Sequence, residues 1–467
     1  MKHKKLNEAL NEISDRHIAQ AFKRTKRSYR LAGIAAVLAL VILALSFVQP
    51  LALEARAVSE ASAPRLSPFP YYDDYDDRDQ YKQASDLWHA EQDRRSRNTQ
   101  KAVKAMVPFF TAASQEFLAG SNQNTLWSPA NAAIGLAMLT ELTAENTQQQ
   151  LLTLLGAEST ETLRSHISAL WESAYCKDGM EKCTLANSLW LNKNLQYNED
   201  TISALSHHYY ASVYRGNLGS AGVNRSIGTW LNSNTGGLLR SAADRIQLPR
   251  DAVLALYSTL YIQSKWVDEF NAAKNTQDVF HAPSGDKTVT FMNRDLVQTN
   301  YYWGDTYGAV SLRLKNGCQM WFILPDAGLT PTDVLNDGQY MEMLTASQWE
   351  NEKYMKVNLS VPKFDVSQAR DLKEGLKKLG VTDLFSLETA NFSAITSDSP
   401  VFITAANQAV RVQVDEQGVK AAVYIEFPGA GAAAPPEEII DFVLDRPFLF
   451  VITNDSVPLI AGVVNEP

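Results

Sequence analysis

Residues 410–436 read VRVQVDEQGVKAAVYIEFPGAGAAAPP, and they decide the fold. Val410, Val412 and Val414 alternate with Arg411 and Gln413, the period of a half-buried strand. Asp415-Glu416-Gln417-Gly418 has the residue types of a turn. A second alternating run follows, with Val419, Ala421, Val423, Ile425 and Phe427 on one face and Lys420, Tyr424 and Glu426 on the other. From Pro428 to Pro436 the chain is proline, glycine and alanine, which form neither a good strand nor a packed core. A segment able to join a sheet is thus tethered to an exposed loop.

Outward from this stretch the chain is globular from about residue 102 to its end, with no internal repeat. Helical patterns come first: Phe109–Leu118, then Ala130–Leu142 opened by Ser128-Pro129, then Thr147–Leu155 closed by Gly156. Strand patterns dominate later, at Ser188–Leu191, Ala252–Ile262, Val310–Leu314, Gln319–Leu324, Lys356–Val361, Val401–Val414, Phe448–Thr453 and Leu459–Val464. Helices followed by many strands far apart in sequence predict one α+β domain over residues 102–467.

Several segments in order resemble one family. Asn124-Thr-Leu-Trp-Ser-Pro-Ala-Asn131 and Thr147-Gln-Gln-Gln-Leu-Leu152 resemble the early helices of the serpins, the serine-protease-inhibitor fold. Ala186-Asn-Ser-Leu-Trp-Leu191, Ile227–Gly236, Lys265-Trp266, Lys363-Phe364, Leu379-Gly380, Asn391-Phe-Ser393, Leu444–Phe450 and Gly462–Asn465 continue the likeness to the end of the chain. The resemblance implies a large central mixed sheet, two smaller sheets, eight or nine helices and an exposed reactive-centre loop. In such a fold a serine protease reads the loop as substrate, and the cleaved loop inserts into the central sheet. The acyl-enzyme is dragged along and distorted before it deacylates. A metastable native state, held kinetically, drives this.

The resemblance makes Glu416, Gly418, Val419, Ala421 and Ala422 the hinge and, by count, Ala432-Ala433 the scissile bond, within a window from Phe427 to Ala434. It puts Ser128, Ser258, Gln408 and Trp266 where the sheet opens, with a Ser258–Gln408 hydrogen bond in place of the family's Asn–His pair. Small residues in the hinge and alternation through Phe427 favour insertion. Val423, Tyr424 and Ile425 are bulky for that position, and Pro428 interrupts a ladder. The small uncharged bait suits elastase-like or subtilisin-like proteases. No basic residue lies between Lys420 and Arg446 for a trypsin-like enzyme. The rival is a non-inhibitory surface protein of the same fold, its loop merely cleaved.

The N-terminus carries a different signal. Net charge is −9, yet residues 1–30 hold nine Lys/Arg against three Asp/Glu. This basic tail ends at Leu31–Val48, eighteen residues without a charge, about 27 Å as a helix. The positive-inside bias predicts a cytoplasmic tail (1–30), a transmembrane signal anchor (31–49), an extracellular linker (50–101) and the domain outside. A signal peptide cut at Ala55-Arg-Ala57, giving a secreted protein, is the alternative. The topology suggests a bacterial-type surface protein. The linker holds Tyr71-Tyr-Asp-Asp-Tyr-Asp-Asp77, an acidic run without the glycine turn and closing glutamate of a Ca²⁺ loop.

Composition excludes much else. Apolar residues are 45% and charged residues 20%, an ordinary globular balance, and no basic surface points to nucleic acid. Three cysteines build no disulfide framework, though Cys176 and Cys183 flank a turn-rich link and an exported domain can join them. His207-His208 has no companion ligands, so no metal site and no cofactor is expected. There is no Gly-x-Ser-x-Gly, no His-Glu-x-x-His, no phosphate loop and no Cys-x-x-Cys, so no enzyme is expected. The expected state is a monomer whose partners are a serine protease and, through the N-terminal helix, a membrane.

Overall fold

A computed structural model describes residues 55–61, 69–178, 181–346, 348–398, 400–419 and 437–467. The chain divides into Met1–Leu53 and Glu54–Pro467, and every described residue belongs to the second unit. The basic tail and the hydrophobic run therefore lie outside the described residues. Among the described residues no helix is long and apolar enough to cross a membrane.

The helices among the described residues are α1 (Arg78–Leu118), α2 (Pro129–Leu142), α3 (Glu145–Leu154), α4 (Thr160–Ala174), α5 (Glu199–His208), α6 (Ala221–Asn234), α7 (Arg240–Ala243), α8 (Pro331–Asp337), α9 (Gln339–Thr345) and α10 (Lys373–Lys378). That is one or two more than the family pattern implies, and α7 is a single turn. The strands are β1 (Arg56–Ser59), β2 (Thr125–Trp127), β3 (Cys176–Asp178), β4 (Glu181–Asn192), β5 (Ala211–Gly216), β6 (Leu254–Lys265), β7 (Thr276–Ala282), β8 (Gly285–Trp303) and β9 (Tyr307–Arg313). They continue with β10 (Gln319–Pro325), β11 (Glu352–Pro362), β12 (Phe364–Asp371), β13 (Asn407–Val414), β14 (Gly418–Val419), β15 (Ile439–Val443), β16 (Phe448–Asn454) and β17 (Val457–Val464).

The mixed α+β architecture is as expected, with one difference in how the sheets join. Strand β8 is nineteen residues long and bonds β7 along Gly285–Phe291, β11 along Phe291–Tyr302 and β9 along Tyr301–Trp303. It thereby merges the two smaller sheets into one path of nine strands, β15-β11-β8-β9-β10-β16-β17-β2 with β7 on β8. The central sheet is in two leaves: β1-β5-β4-β6-β14 with β3 on β4, and a separate pair, β12-β13.

Between the sheets runs α2. Pro129 starts it with a ring that needs no amide partner, and every residue except Gly135 is buried. Trp127, on β2 just before it, is fully buried with its ring centroid 4.9 Å from that of Phe117 of α1. Its indole N–H donates to Ser114 Oγ at 3.1 Å, and truncating such a ring costs about 3–5 kcal/mol.

The linker expected over residues 50–101 needs correction. Arg56–Ser59 extends the leaf by pairing antiparallel with β5, and α1 begins at Arg78, capped by Asp77 accepting from the Gln80 amide at 2.8 Å. The stripe of α1 that faces the body between Arg95 and Thr99 is polar: Arg95 Nη2 donates to the Glu172 carbonyl at 2.7 Å, and Thr99 Oγ1 to that of Ala169 at 3.4 Å. Hydrogen bonds rather than an apolar period dock this end, so the hydrophobic pattern starts too late. The strand expected over Val401–Val414 is likewise shorter, Asn407–Val414: the chain bends at Thr404, and the Ala406 amide donates to Asp371 Oδ1 rather than to a ladder.

Cys176 and Cys183 are directly opposite each other in the β3–β4 ladder. The disulfide expected between them rests on the Cys176 side chain, outside the described residues. Cys183 and Cys318 are both buried.

Candidate functional site: a split sheet and its hinge

Strand β6 bonds β4 from Leu254 opposite Leu191 to Gln263 opposite Lys182. Strand β13 bonds β12 from Asn407 to Val414. Below Val419, no described strand lies between β6 and β13, and the two leaves are separate. Among the described residues the slot is entered at the top alone. There β14 pairs antiparallel with β6, Gly418 opposite Lys265 and Val419 opposite Ser264.

The hinge is built by its turn. Asp415 Oδ1 accepts from the amides of Gln417 (2.9 Å) and Gly418 (3.3 Å), reversing the chain after β13. Gly418 has φ +145°, and a Cβ there would run into the Ser264 carbonyl and the Lys265 backbone. Glycine is what lets the loop lie against β6. Val419 is 5% exposed and joins the main hydrophobic core.

Trp266, fully buried at the end of β6, grips the turn from below. Three consecutive hinge carbonyls are satisfied here. That of Asp415 accepts from Trp266 Nε1 (2.9 Å), that of Glu416 from the Phe270 amide (3.0 Å), and that of Gln417 from the Trp266 amide (3.1 Å). The Glu416 carboxylate pairs with Lys363 at the junction of β11 and β12, and accepts from Asn275 Nδ2 at 2.5 Å. Burial alone would raise the Glu416 pKa, but the hydrogen bonds from Lys363 and Asn275 outweigh it and the pKa is lowered.

Lower down, the first turn of α2 clasps both leaves. The Gln408 carboxamide of β13 pairs with the Ser128 peptide in both directions: Ser128 N donates to Oε1 at 2.9 Å, and Nε2 donates to Ser128 O at 3.1 Å. Ser128 Oγ donates to the Leu459 carbonyl at 2.6 Å. One turn on, Asn131 Nδ2 donates to Ser258 Oγ of β6 at 2.8 Å, and that hydroxyl donates to Asn187 Oδ1 of β4 at 2.7 Å.

The Ser258–Gln408 bond expected from sequence is therefore replaced. Both side chains are spent on α2, which lies beneath the slot and reaches each more directly than they reach one another. Asn131, Asn187, Lys363 and Asn275 carry the site but were not singled out for it in the sequence. For Asn131 a signal existed, a polar residue three after the serine at the start of a helix. For the others only the fold brings them in.

Lys420–Pro436, with Ala421, Ala422, Ala432 and Ala433, lie outside the described residues. The chain is picked up again at Glu437, and β15 pairs parallel with β11, tied by Lys353 Nζ to Glu438 at 2.6 Å. His207 and His208 sit in the last turn of α5 with rings edge to face, away from the slot.

Comparison with known proteins places this geometry. The family model for "Serpin (serine protease inhibitor)" matches residues 107–467. The chain belongs to the serpin family. It is 28% identical over 354 residues to an alpha-1-antitrypsin-like protein (GS55-MS) of Ictidomys tridecemlineatus, covering 74% of this chain and 83% of that protein. It is 26% identical to Serpin-ZX of Arabidopsis thaliana, covering 74% and 93%. In fold it is similar to the native-state crystal structure of Tengpin, a thermophilic serpin, with a TM-score of 0.69 and 24% identity, covering 79% and 94%.

Proposed function

We propose that the protein is an extracytoplasmic inhibitor of serine proteases that works by loop insertion and is not itself an enzyme. One observation carries this: among the described residues no strand joins β6 to β13 below Val419, while Gly418–Val419 is bonded to the end of β6 with Val419 in the core. A strand alternates with period two, so Ala421, Val423, Ile425 and Phe427 follow Val419 onto the core side as the loop zips down.

The chemistry is supplied by the protease. Its serine hydroxyl attacks the carbonyl of Ala432, the peptide bond to Ala433 breaks, and the loop is held as an ester while the new amine departs. The freed loop then fills the slot. An inserted strand of about ten residues gains on the order of ten to twenty ladder hydrogen bonds, at about 1 kcal/mol each, or about 10–20 kcal/mol before side-chain burial. That exceeds the strength of the Gln408 and Asn131 clasps that must yield. The bait of alanine and glycine fits an elastase-like or subtilisin-like pocket.

Leu31–Val48 anchors the inhibitor to the membrane with its basic tail inside. That Ala57 lies within β1, paired with Tyr214 of β5, supports an uncleaved anchor, since cutting there would divide a strand. Membrane fractionation tests this: the chain stays with the membrane, and a soluble product starting near Val58 refutes it.

The inhibitory reading is tested by mixing residues 54–467 with pancreatic elastase and with subtilisin. A covalent complex that survives SDS is expected. Clean loop cleavage without complex, across a broad protease panel, refutes it. That outcome would favour the non-inhibitory reading, for which Tyr424, Ile425 and Pro428 in the inserting segment speak.

A further inference from the structure

The last turn of α2 holds a charge that the slot itself does not use. Glu141 is 6% exposed in a helix otherwise almost wholly apolar. Arg164 of α4 grips its carboxylate with two bonds, Nε at 2.8 Å and Nη2 at 2.7 Å. The Tyr209 hydroxyl, donating at 2.8 Å, binds it from another side. Glu141 is buried while the Arg164 side chain keeps 32% of its surface exposed, and burying a carboxylate costs desolvation energy that offsets much of the attraction. What distinguishes this pair is what it positions.

Tyr209, fully buried, follows α5 and precedes Tyr210, a non-glycine residue with φ +50°. The backbone is strained at this point and is kept there by its surroundings. The Tyr209 carbonyl accepts from Asn187 Nδ2 of β4 at 2.7 Å. Asn187 accepts in turn from Ser258 of β6, and Ser258 from Asn131 of α2. The bonds form a closed circuit: from the last turn of α2 through Tyr209, β4 and β6, and back to the first turn of α2. The β4–β6 leaf is thus tied to one helix at both ends.

We infer that Glu141, through Tyr209, is a positioning residue that sets how readily the β4–β6 leaf moves away from β13 to admit a strand. The inference rests on the loop-insertion reading. For the slot to widen, β6 and β4 shift together over α2. The Asn131–Ser258 bond breaks, and the Asn187–Tyr209 bond is pulled against an anchor that the carboxylate fixes. Removing the tyrosine hydroxyl frees that anchor while leaving the ring, the backbone carbonyl and the clasps in place.

The test uses residues 54–467 and a synthetic acetylated peptide with the sequence of residues 419–430, whose incorporation into the slot is followed on native gels and by thermal melting. Tyr209→Phe is expected to take up peptide about ten times faster than the unsubstituted protein, the loss of one hydrogen bond to a charged group, and Glu141→Gln at least as fast. Thr453→Val, which removes the buried Trp321–Thr453 bond in the other sheet, is expected to leave the rate unchanged at a comparable loss of melting temperature. An unchanged rate in Tyr209→Phe overturns the inference, and so does equal acceleration by Thr453→Val. Failure of the unsubstituted protein to take up any peptide overturns it as well. A protein that takes up peptide yet forms no covalent complex with any protease refutes only the inhibitor reading.

Discussion

Replacing Val419 by arginine separates a hinge that inserts from one that merely lies on the surface. Val419 is 5% exposed and its neighbours are core side chains. Burying a valine contributes about 1.5–2 kcal/mol. The effective desolvation cost of a guanidinium in the same place is several kcal/mol. Arginine therefore expels residue 419 from its place beside β6 in the intact protein, and insertion, which has to bury it again, becomes less favourable by about 4 kcal/mol, about a thousandfold in rate if that cost is felt in full at the transition state. Deacylation then outruns insertion, and the protease leaves after cutting the loop. The assay is the ratio of SDS-stable complex to cleaved inhibitor at fixed protease. Val419→Arg should shift nearly all of the chain to the cleaved band, while Val419→Thr, of similar shape, keeps a measurable share of complex. Complex formation by Val419→Arg at the unsubstituted ratio would refute the reasoning, because no inserted strand can start with that side chain in the core.

Further outcomes follow from the same geometry. The Glu416 pKa is lowered in the folded state. Its contribution to stability is therefore complete above its ordinary value of about 4.5 and is lost as pH falls through the lowered one. Glu416→Gln should melt lower than the unsubstituted protein at pH 7, and the gap should close in strongly acid buffer; a gap independent of pH would assign the effect to packing. Gly418→Ala meets the Ser264 carbonyl and an unfavourable φ, so the β14 pairing should fail and amide exchange at Val419 should speed up by at least tenfold. Peptide mapping under non-reducing conditions should link Cys176 to Cys183, which are register partners; recovery of both as unlinked thiols from exported protein would exclude the bridge.

Much of this was legible in sequence because it is written in local patterns. Ser128-Pro129 marks the start of α2, alternation marks the end of β13, and continuous apolar runs mark β16 and β17 to within a few residues. The turn at Asp415–Gly418 was readable from residue type, whereas the hinge roles of Gly418 and Val419 came only from the family resemblance. Other features were not, for physical reasons. The N-terminal half of α1 docks by polar contacts such as Arg95 to Glu172, so it carries no apolar stripe to detect. The Ser258–Gln408 bond failed because sequence gives the donors and acceptors but not their directions, and α2 lies closer to each. Glu141 looks in sequence like an ordinary helix-surface charge. Only the packing of α4 and the turn after α5 over it makes it buried.

The open slot is the centre of the account, and the melting temperature before and after loop cleavage measures it most directly. Residues 54–467 cut once between Phe427 and Ala434 should melt far higher than the intact protein, because the freed segment fills the gap between β6 and β13. A cleaved protein that melts at or below the intact one would contradict it.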